Sequence, residues 1–219
     1  EHVLSRKVTV LGSTGTVGNA TLDVIRHARE VYGCAAFPIQ ALTAQKNVAA
    51  LAAQALQLKP NLAVIGDASL LPDLRERLAG SGIRATGGHD ALVDAASETS
   101  DLVMAAIVGA AGLTPTLAAV ERGALVTLAN KECLVAAGPV FLKALGGARH
   151  KLLPVDSEHN AALQLLDNAD LSTVEKITLT ASGGPFRTWP TERMASATPE
   201  QAISHPNWFM GAKISVDSA

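Results

Sequence analysis

Cysteine is almost missing from this 219-residue sequence. Cys34 and Cys133 are its only two, too few for a disulfide framework, so a reducing compartment fits best. Charge of one sign is also missing: 18 Lys and Arg stand against 20 Asp and Glu, a net charge of −2. With no basic block, sequence-blind binding to nucleic acid or to a membrane surface is disfavoured. The longest near-continuous apolar run, 102–113, is too short to span a bilayer. The opening Glu1-His2-Val3-Leu4 resembles neither a signal nor a transit peptide. Aromatics make up only 3% of the chain, yet aliphatic residues bring the hydrophobic share to 48%. A chain this apolar can offset its ordering entropy, which excludes a disordered tail. The expectation is a soluble intracellular globular protein.

Short apolar runs alternate with helical patterns over the first two-thirds. Val8–Leu11, 37–42, Leu62–Ile65, 102–107 and Leu125–Leu128 read as strands. Between and after them, 19–30, Val48–Leu58, 70–78, 91–96, Leu113–Glu121 and Glu132–Leu145 read as helices, with a short apolar piece around Ile83. Strands that are apolar throughout imply burial on both faces. The β-α alternation therefore predicts an α/β fold, a doubly wound Rossmann-like parallel sheet. The texture changes near Gly146-Gly147, so a nucleotide-binding domain is placed at 1–150 and a second, α+β domain at 151–219. That second part is expected to hold a helix over Ser157–Leu166 and a strand over 176–180. Four of the seven aromatics, Phe186, Trp189, Trp208 and Phe209, fall in its Gly- and Pro-rich stretch, which reads as a binding lid near 183–211.

Gly12-Ser13-Thr14-Gly15-Thr16-Val17-Gly18 follows a strand and opens a helix. Backbone amides at such a turn, with the positive end of the helix, suit a pyrophosphate. The spacing G-x-x-G-x-x-G departs from the usual G-x-G-x-x-G, and a glycine turn that binds nothing is the alternative. NAD sites place an acid after the second strand to hold the ribose hydroxyls. Here no Asp or Glu occurs between Glu30 and Asp67, and the strand runs into Thr43-Ala44-Gln45-Lys46-Asn47. A cation at a helix start is mildly unfavourable, so Lys46 reads as a partner for a 2′-phosphate, favouring NADP over NAD.

Asp156 and Glu158 stand two residues apart around Ser157. They could share a hard cation such as Mg²⁺ or Mn²⁺, or simply provide ordinary helix-start chemistry. His159 is either a third ligand or a structural residue. Lys131, in Asn130-Lys131-Glu132, follows a strand and so lies on the ligand side of an open sheet; a plain surface lysine is the alternative. Ser182-Gly183-Gly184 offers a hydroxyl and accessible amides to an anionic oxygen, or is a plain turn. His205 precedes Pro206 and is expected to be extended.

Five segments in order resemble the 1-deoxy-D-xylulose 5-phosphate reductoisomerase family: 12–18, 128–132, 154–160, 182–187, and 205–208 running into 211–219. The resemblance covers essentially the whole chain. It implies an NADPH-dependent, divalent-metal-dependent enzyme (Mg²⁺ or Mn²⁺, with Co²⁺ a further option). The family reaction rearranges 1-deoxy-D-xylulose 5-phosphate and reduces the product to 2-C-methyl-D-erythritol 4-phosphate, in isoprenoid precursor synthesis. By resemblance Thr14, Gly15, Thr16 and Val17 hold the pyrophosphate region, and Lys46 and Asn47 the 2′-phosphate. Asn130, Glu132 and Gly211 line the cofactor site. Lys131, Asp156 and Glu158 carry the chemistry, with Asp156 and Glu158 on the metal. Lys131, Ser157, Glu158, Ser182, His205, Trp208 and Ser218 contact the phosphosugar, Trp208 from the lid. A homodimer in a bacterial cytoplasm is implied, with the stroma of a plastid as the other setting.

Two departures accompany the resemblance. Phe209 stands where the family has a small polar residue. The family pattern also continues past Ala219 to a third metal carboxylate, so the chain is expected to be a fragment that binds NADPH and turns over poorly. Two other classes remain as alternatives: a non-catalytic NADP-binding module, and a semialdehyde-dehydrogenase type with Cys133 as nucleophile.

Overall fold

Every residue of Val8–Leu11 (β1), Ile39–Ala44 (β2) and Leu62–Ile65 (β3) is buried. Such strands are stable only when both faces are covered. In the computed structural model, which describes residues 3–208 and 211–217, they are covered by helices on both sides. The chain folds as two compact units, 1–156 and 157–219.

The first unit is a seven-stranded sheet in the order β4-β3-β2-β1-β5-β6-β7. Its other strands are Arg84–Gly87 (β4), Leu102–Ala105 (β5), Leu125–Leu128 (β6) and Leu152–Pro154 (β7). All neighbouring strands are parallel. The helices are Thr16–Tyr32 (α1), Val48–Leu58 (α2), Leu71–Arg77 (α3), His89–Ser97 (α4), Leu113–Glu121 (α5) and Glu132–Leu145 (α6). Alternate residues of the strands serve opposite faces. Val10, Leu42 and Ile65 pack with Leu22, Leu51 and Leu74 of α1, α2 and α3. On the other face Ala41 and Val64 meet Leu92 of α4, while Leu11, Val103 and Val126 join Val120 and Phe141 of α5 and α6. Each large aliphatic side chain buried this way contributes about 2 kcal/mol.

Several boundaries differ from the sequence expectation. Strand β2 begins at Ile39, not 37, because Phe37 has φ +47, outside the extended region, and Pro38 after it has no N–H to give to a neighbouring strand. Helix α1 starts at Thr16, so Thr16 and Val17 lie in its first turn. Arg84–Gly87, half-exposed and barely apolar, was not foreseen as a strand; it is an edge with one neighbour. Helix α6 breaks at Ala137 (φ −140, ψ 27), two residues before Pro139, which lacks the N–H a regular helix needs. The first unit extends past 150 because Leu152–Pro154 adds the seventh strand.

The second unit holds Ser157–Leu166 (α7) and three short helices, Thr191–Met194, Pro199–Ala202 and Ala212–Asp217. The strand expected over 176–180 does not form. A strand needs a second row of backbone groups to pair with, and among the described residues none pairs with this segment. Ile177 and Leu179 are exposed there.

Arg29 near the end of α1 closes one corner of the first unit. Its guanidinium donates to the carbonyls of Ala36 (2.9 Å), Leu58 (2.9 Å) and Phe37 (3.0 Å). It thereby ties α1 to the end of α2 and to the left-handed Phe37. Replacing Arg29 by Met is expected to lower stability by about 2 kcal/mol, since three carbonyls lose a charged donor. Arg29→Lys should restore little, because an ammonium cannot reproduce the planar fork. Urea unfolding midpoints of the two variants check this.

Candidate functional site

The sheet order reverses beside β1: the chain steps outward from β1 to β4, then returns to place β5 on the other side. Ligands of open α/β sheets bind at that reversal, beyond the carboxyl ends of the strands. The turn Gly12–Gly15 sits there. Gly12 has φ +82, and a Cβ on it would lie 2.8 Å from the carbonyl oxygen of Ala106, just past β5. A Cβ on Gly18 would lie 2.2 Å from the Gly12 oxygen, so the first turn of α1 rests directly on the loop. The Gly15 amide donates to the Gly12 carbonyl at 3.1 Å. Thr14 and Val17 are half-exposed, and Gly15 and Thr16 are exposed. Gly15 caps α1 with no side-chain hydrogen bond, and the first turn carries no acid. The positive end of a 17-residue helix is thus left to an outside anion.

Behind the turn lies a buried polar scaffold that sequence reasoning missed. Ser13 and Thr43 are fully buried, and Gln54 nearly so. The Gly12 amide donates to Thr43 Oγ1 (2.9 Å) and the Ser13 amide to the Thr43 carbonyl (2.8 Å). Ser13 Oγ donates to Gln54 Oε1 (2.7 Å), and Gln54 Nε2 donates to the Ser13 carbonyl (3.1 Å) and to Asn19 Oδ1 (2.9 Å). A signal was present: Gln54 falls with Leu51, Ala55 and Leu58 on the apolar face of α2, where a polar side chain must have partners.

At the end of β2, Lys46 and Asn47 are exposed. Asn47 caps α2, its Oδ1 accepting from the Ala50 amide at 3.1 Å, which leaves the Nδ2 hydrogens for an anion. Asp67 follows β3. The Ser69 hydroxyl and amide hold its carboxyl below the usual range, and the charge of Lys46 adds a smaller pull.

The carboxyl ends of β6 and β7 bring together two residues that were read separately. Lys131 Nζ stands 3.2 Å from Asp156 Oδ2. Asn130, 3% exposed, donates through Nδ2 to the carbonyls of Ile107 (2.6 Å) and Gly109 (2.8 Å). Both donor hydrogens are committed, and Oδ1 is buried with no partner among the described residues. A buried acceptor in that state awaits a donor. Glu132 opens α6 and is half-buried.

In the second unit, Ser157 donates to Glu158 Oε2 at 2.8 Å. Both border a cleft of about 320 Å³ between α7 and residues 174–180. Ser182 and His205, far apart in sequence, meet at 3.1 Å. His205 Nδ1 accepts from the amides of Asn207 (3.1 Å) and Trp208 (3.0 Å), so the ring proton sits on Nε2 and is donated to Ser182 Oγ. The Gly184 amide also donates to that oxygen, at 3.2 Å. With both lone pairs used, the Ser182 hydroxyl can only donate, as an anionic oxygen requires. Trp208 stacks on His205 at 4.9 Å with 58% of its surface exposed. Trp189 meets Phe186 at 4.8 Å, with Arg193 over its ring. Gly211 is half-buried. Ser218 and Phe209 lie outside the described residues. Among the described residues no group of three or more His, Cys, Asp or Glu side chains is arranged to hold a metal ion. No helix among them is long and apolar enough to cross a membrane.

A parallel sheet with a glycine turn at its order reversal, leading into a helix with a bare amino end, defines a Rossmann-type α/β fold. The chain belongs to the 1-deoxy-D-xylulose 5-phosphate reductoisomerase family: the family model of that description matches residues 8–138 and the model of its C-terminal domain residues 152–219. The 1-deoxy-D-xylulose 5-phosphate reductoisomerase of Rhodospirillum centenum is 56% identical over 98% of this chain and 52% of its own length. That of Caulobacter vibrioides is also 56% identical, over 98% and 52%. The solved structure of the Zymomonas mobilis enzyme in complex with NADPH is 48% identical with a TM-score of 0.84, over 98% of this chain and 54% of that one. A second, of a reductoisomerase with NADPH, fosmidomycin and magnesium, is 37% identical with a TM-score of 0.83, over 97% and 54%. The chain spans about half the length of the curated relatives it matches.

The family match removes the semialdehyde-dehydrogenase alternative, and the structure agrees. Cys133 is 1% exposed, and burial pushes its thiol above the usual range, the opposite of an activated nucleophile. Iodoacetamide is expected to label exposed Cys34 in the native protein and Cys133 only after denaturation. Peptide mass mapping at neutral pH checks it; native labelling of Cys133 would contradict the burial.

Proposed function

We propose that this chain carries the NADPH-binding part and a portion of the metal- and substrate-binding part of a reductoisomerase. The reaction converts 1-deoxy-D-xylulose 5-phosphate to 2-C-methyl-D-erythritol 4-phosphate. One observation carries the cofactor reading: the uncapped amino end of α1 sits at the reversal of strand order, joined through Thr43 to a strand whose end bears Lys46 and no acid. The NADPH complexes of the relatives support it.

In this reading the backbone at Thr14, Gly15, Thr16 and Val17 holds the pyrophosphate. Lys46 and the Nδ2 group of Asn47 hold the 2′-phosphate. The unpartnered Oδ1 of Asn130 accepts a hydrogen bond from the cofactor, and Glu132 and Gly211 also serve the cofactor. Asp156 and Glu158 are the carboxylates for a divalent cation, Mg²⁺, Mn²⁺ or Co²⁺. Such a cation acts as Lewis acid and template for the substrate oxygens. Lys131 balances the charge of Asp156 and, with Ser157, contacts the substrate near its carbonyl and hydroxyl groups. Ser182, Ser218 and His205 grip the phosphate, Ser182 by donating the hydrogen that His205 and Gly184 leave outward. The segment 183–211 closes over the substrate with Trp208, excluding water during hydride transfer. A homodimer and a bacterial cytoplasm complete the reading; bacterial relatives support the setting.

NADPH fluorescence titration tests the cofactor assignment. NADPH is expected to bind at least about tenfold more tightly than NADH, and Lys46→Glu to abolish the difference, since a like charge replaces the one facing the 2′-phosphate. Equal affinity for both nucleotides in the unmodified chain would sink the reading. Oxidation of NADPH that requires both 1-deoxy-D-xylulose 5-phosphate and Mn²⁺ tests the reaction.

A further inference from the structure

Helix α2 touches both ends of the proposed nucleotide site. Its amino end follows Lys46 and Asn47, and two turns along, Gln54 is 6% exposed and bonded to the phosphate turn. Those seven residues rise about 10 Å. Gln54 uses both faces of its amide on the turn. Oε1 accepts from Ser13 Oγ, and Nε2 donates to the Ser13 carbonyl and to Asn19 Oδ1. Because Asn19 accepts through Oδ1, its Nδ2 is oriented to donate to the Thr14 carbonyl, at 3.1 Å. The peptide between Thr14 and Gly15 is therefore held at both ends, by Asn19 on its carbonyl and by the Gly12 carbonyl on its N–H. A carbonyl facing a pyrophosphate would repel it; this relay turns the Thr14 oxygen toward Asn19.

We propose that Gln54 is a positioning residue of the cofactor site, holding the phosphate turn in its anion-accepting form through Asn19 and fixing the turn's distance from the 2′-phosphate seat at the start of α2. The proposal rests on the NADPH reading above. Gln54 touches no ligand; it acts through Ser13 and Asn19.

The test compares NADPH, which spans both seats, with 2′-AMP, which carries the 2′-phosphate and no pyrophosphate. In the full chain, Gln54→Met keeps the length of the side chain and removes its hydrogen bonds. The Kd for NADPH should rise about tenfold, the scale of one or two lost hydrogen bonds, while the Kd for 2′-AMP stays unchanged. Asn19 is exposed, so Asn19→Ala cuts the relay with little risk to folding, and should weaken NADPH in the same selective way. It decides the matter if Gln54→Met does not fold. An unchanged Kd for NADPH in Asn19→Ala, or equal weakening of NADPH and 2′-AMP in Gln54→Met, would overturn the relay and leave the cofactor reading intact. Failure of the unmodified chain to bind NADPH would overturn the cofactor reading and the relay together.

Discussion

Residue 18 has no side chain, and the geometry of the first unit depends on it. With the carbonyl oxygen of Gly12 only 2.2 Å from where a Cβ would sit, any other residue would lift α1 off the loop that precedes it. Lifting α1 would separate its first amides from the ends of β1 and β5, where the strand order reverses. It would also pull Ser13 away from Thr43 and Gln54, leaving buried polar atoms without partners at a cost of about 1–3 kcal/mol each. One missing methyl group thus keeps the helix, the turn and the sheet at a single separation. Gly12 adds the complementary constraint from the other side, against Ala106.

The proposed polar side chains share a pattern: part of each one's hydrogen-bonding capacity is used inside the protein, and what is left has one sign. Asn130 spends both donor hydrogens on carbonyls and keeps an acceptor. Ser182 spends both lone pairs and keeps a donor. Asn47 spends its oxygen on the end of α2 and keeps its amide hydrogens. Internal bonds of this kind fix which way an amide or hydroxyl points before anything binds, so little ordering entropy remains to be lost on binding.

The parts legible in the sequence were those whose signal is local. Val8–Leu11 and Leu62–Ile65 are apolar at every position and could only be buried strands; the glycine turn and the absence of acid before Asp67 lie in continuous stretches. What the sequence hid depends on partners distant along the chain. Arg84–Gly87 is a strand only because β3 lies beside it, while 176–180 has strand composition but, among the described residues, no neighbour to pair with. The pairing of Lys131 with Asp156 and the meeting of Ser182 with His205 are products of the fold, although each residue had been singled out by its own motif. Gln54 was overlooked because a glutamine inside an Ala- and Leu-rich helix looks like a solvent-facing residue until the apolar face is drawn.

The position of β1 also governs the order in which the molecule can be built. Within the sheet it precedes the other six strands in sequence, but one of its edges stays open until Leu102–Ala105 arrives to pair with it, nearly half the chain later. A nascent chain emerging from the ribosome can zip β1, β2, β3 and β4 into a half-sheet with β1 as an unprotected edge, a surface prone to pairing with strangers. The strand that carries the phosphate turn thus has one neighbour close in sequence and one far along the chain, and the second is the kind of long-range pairing that closes slowly.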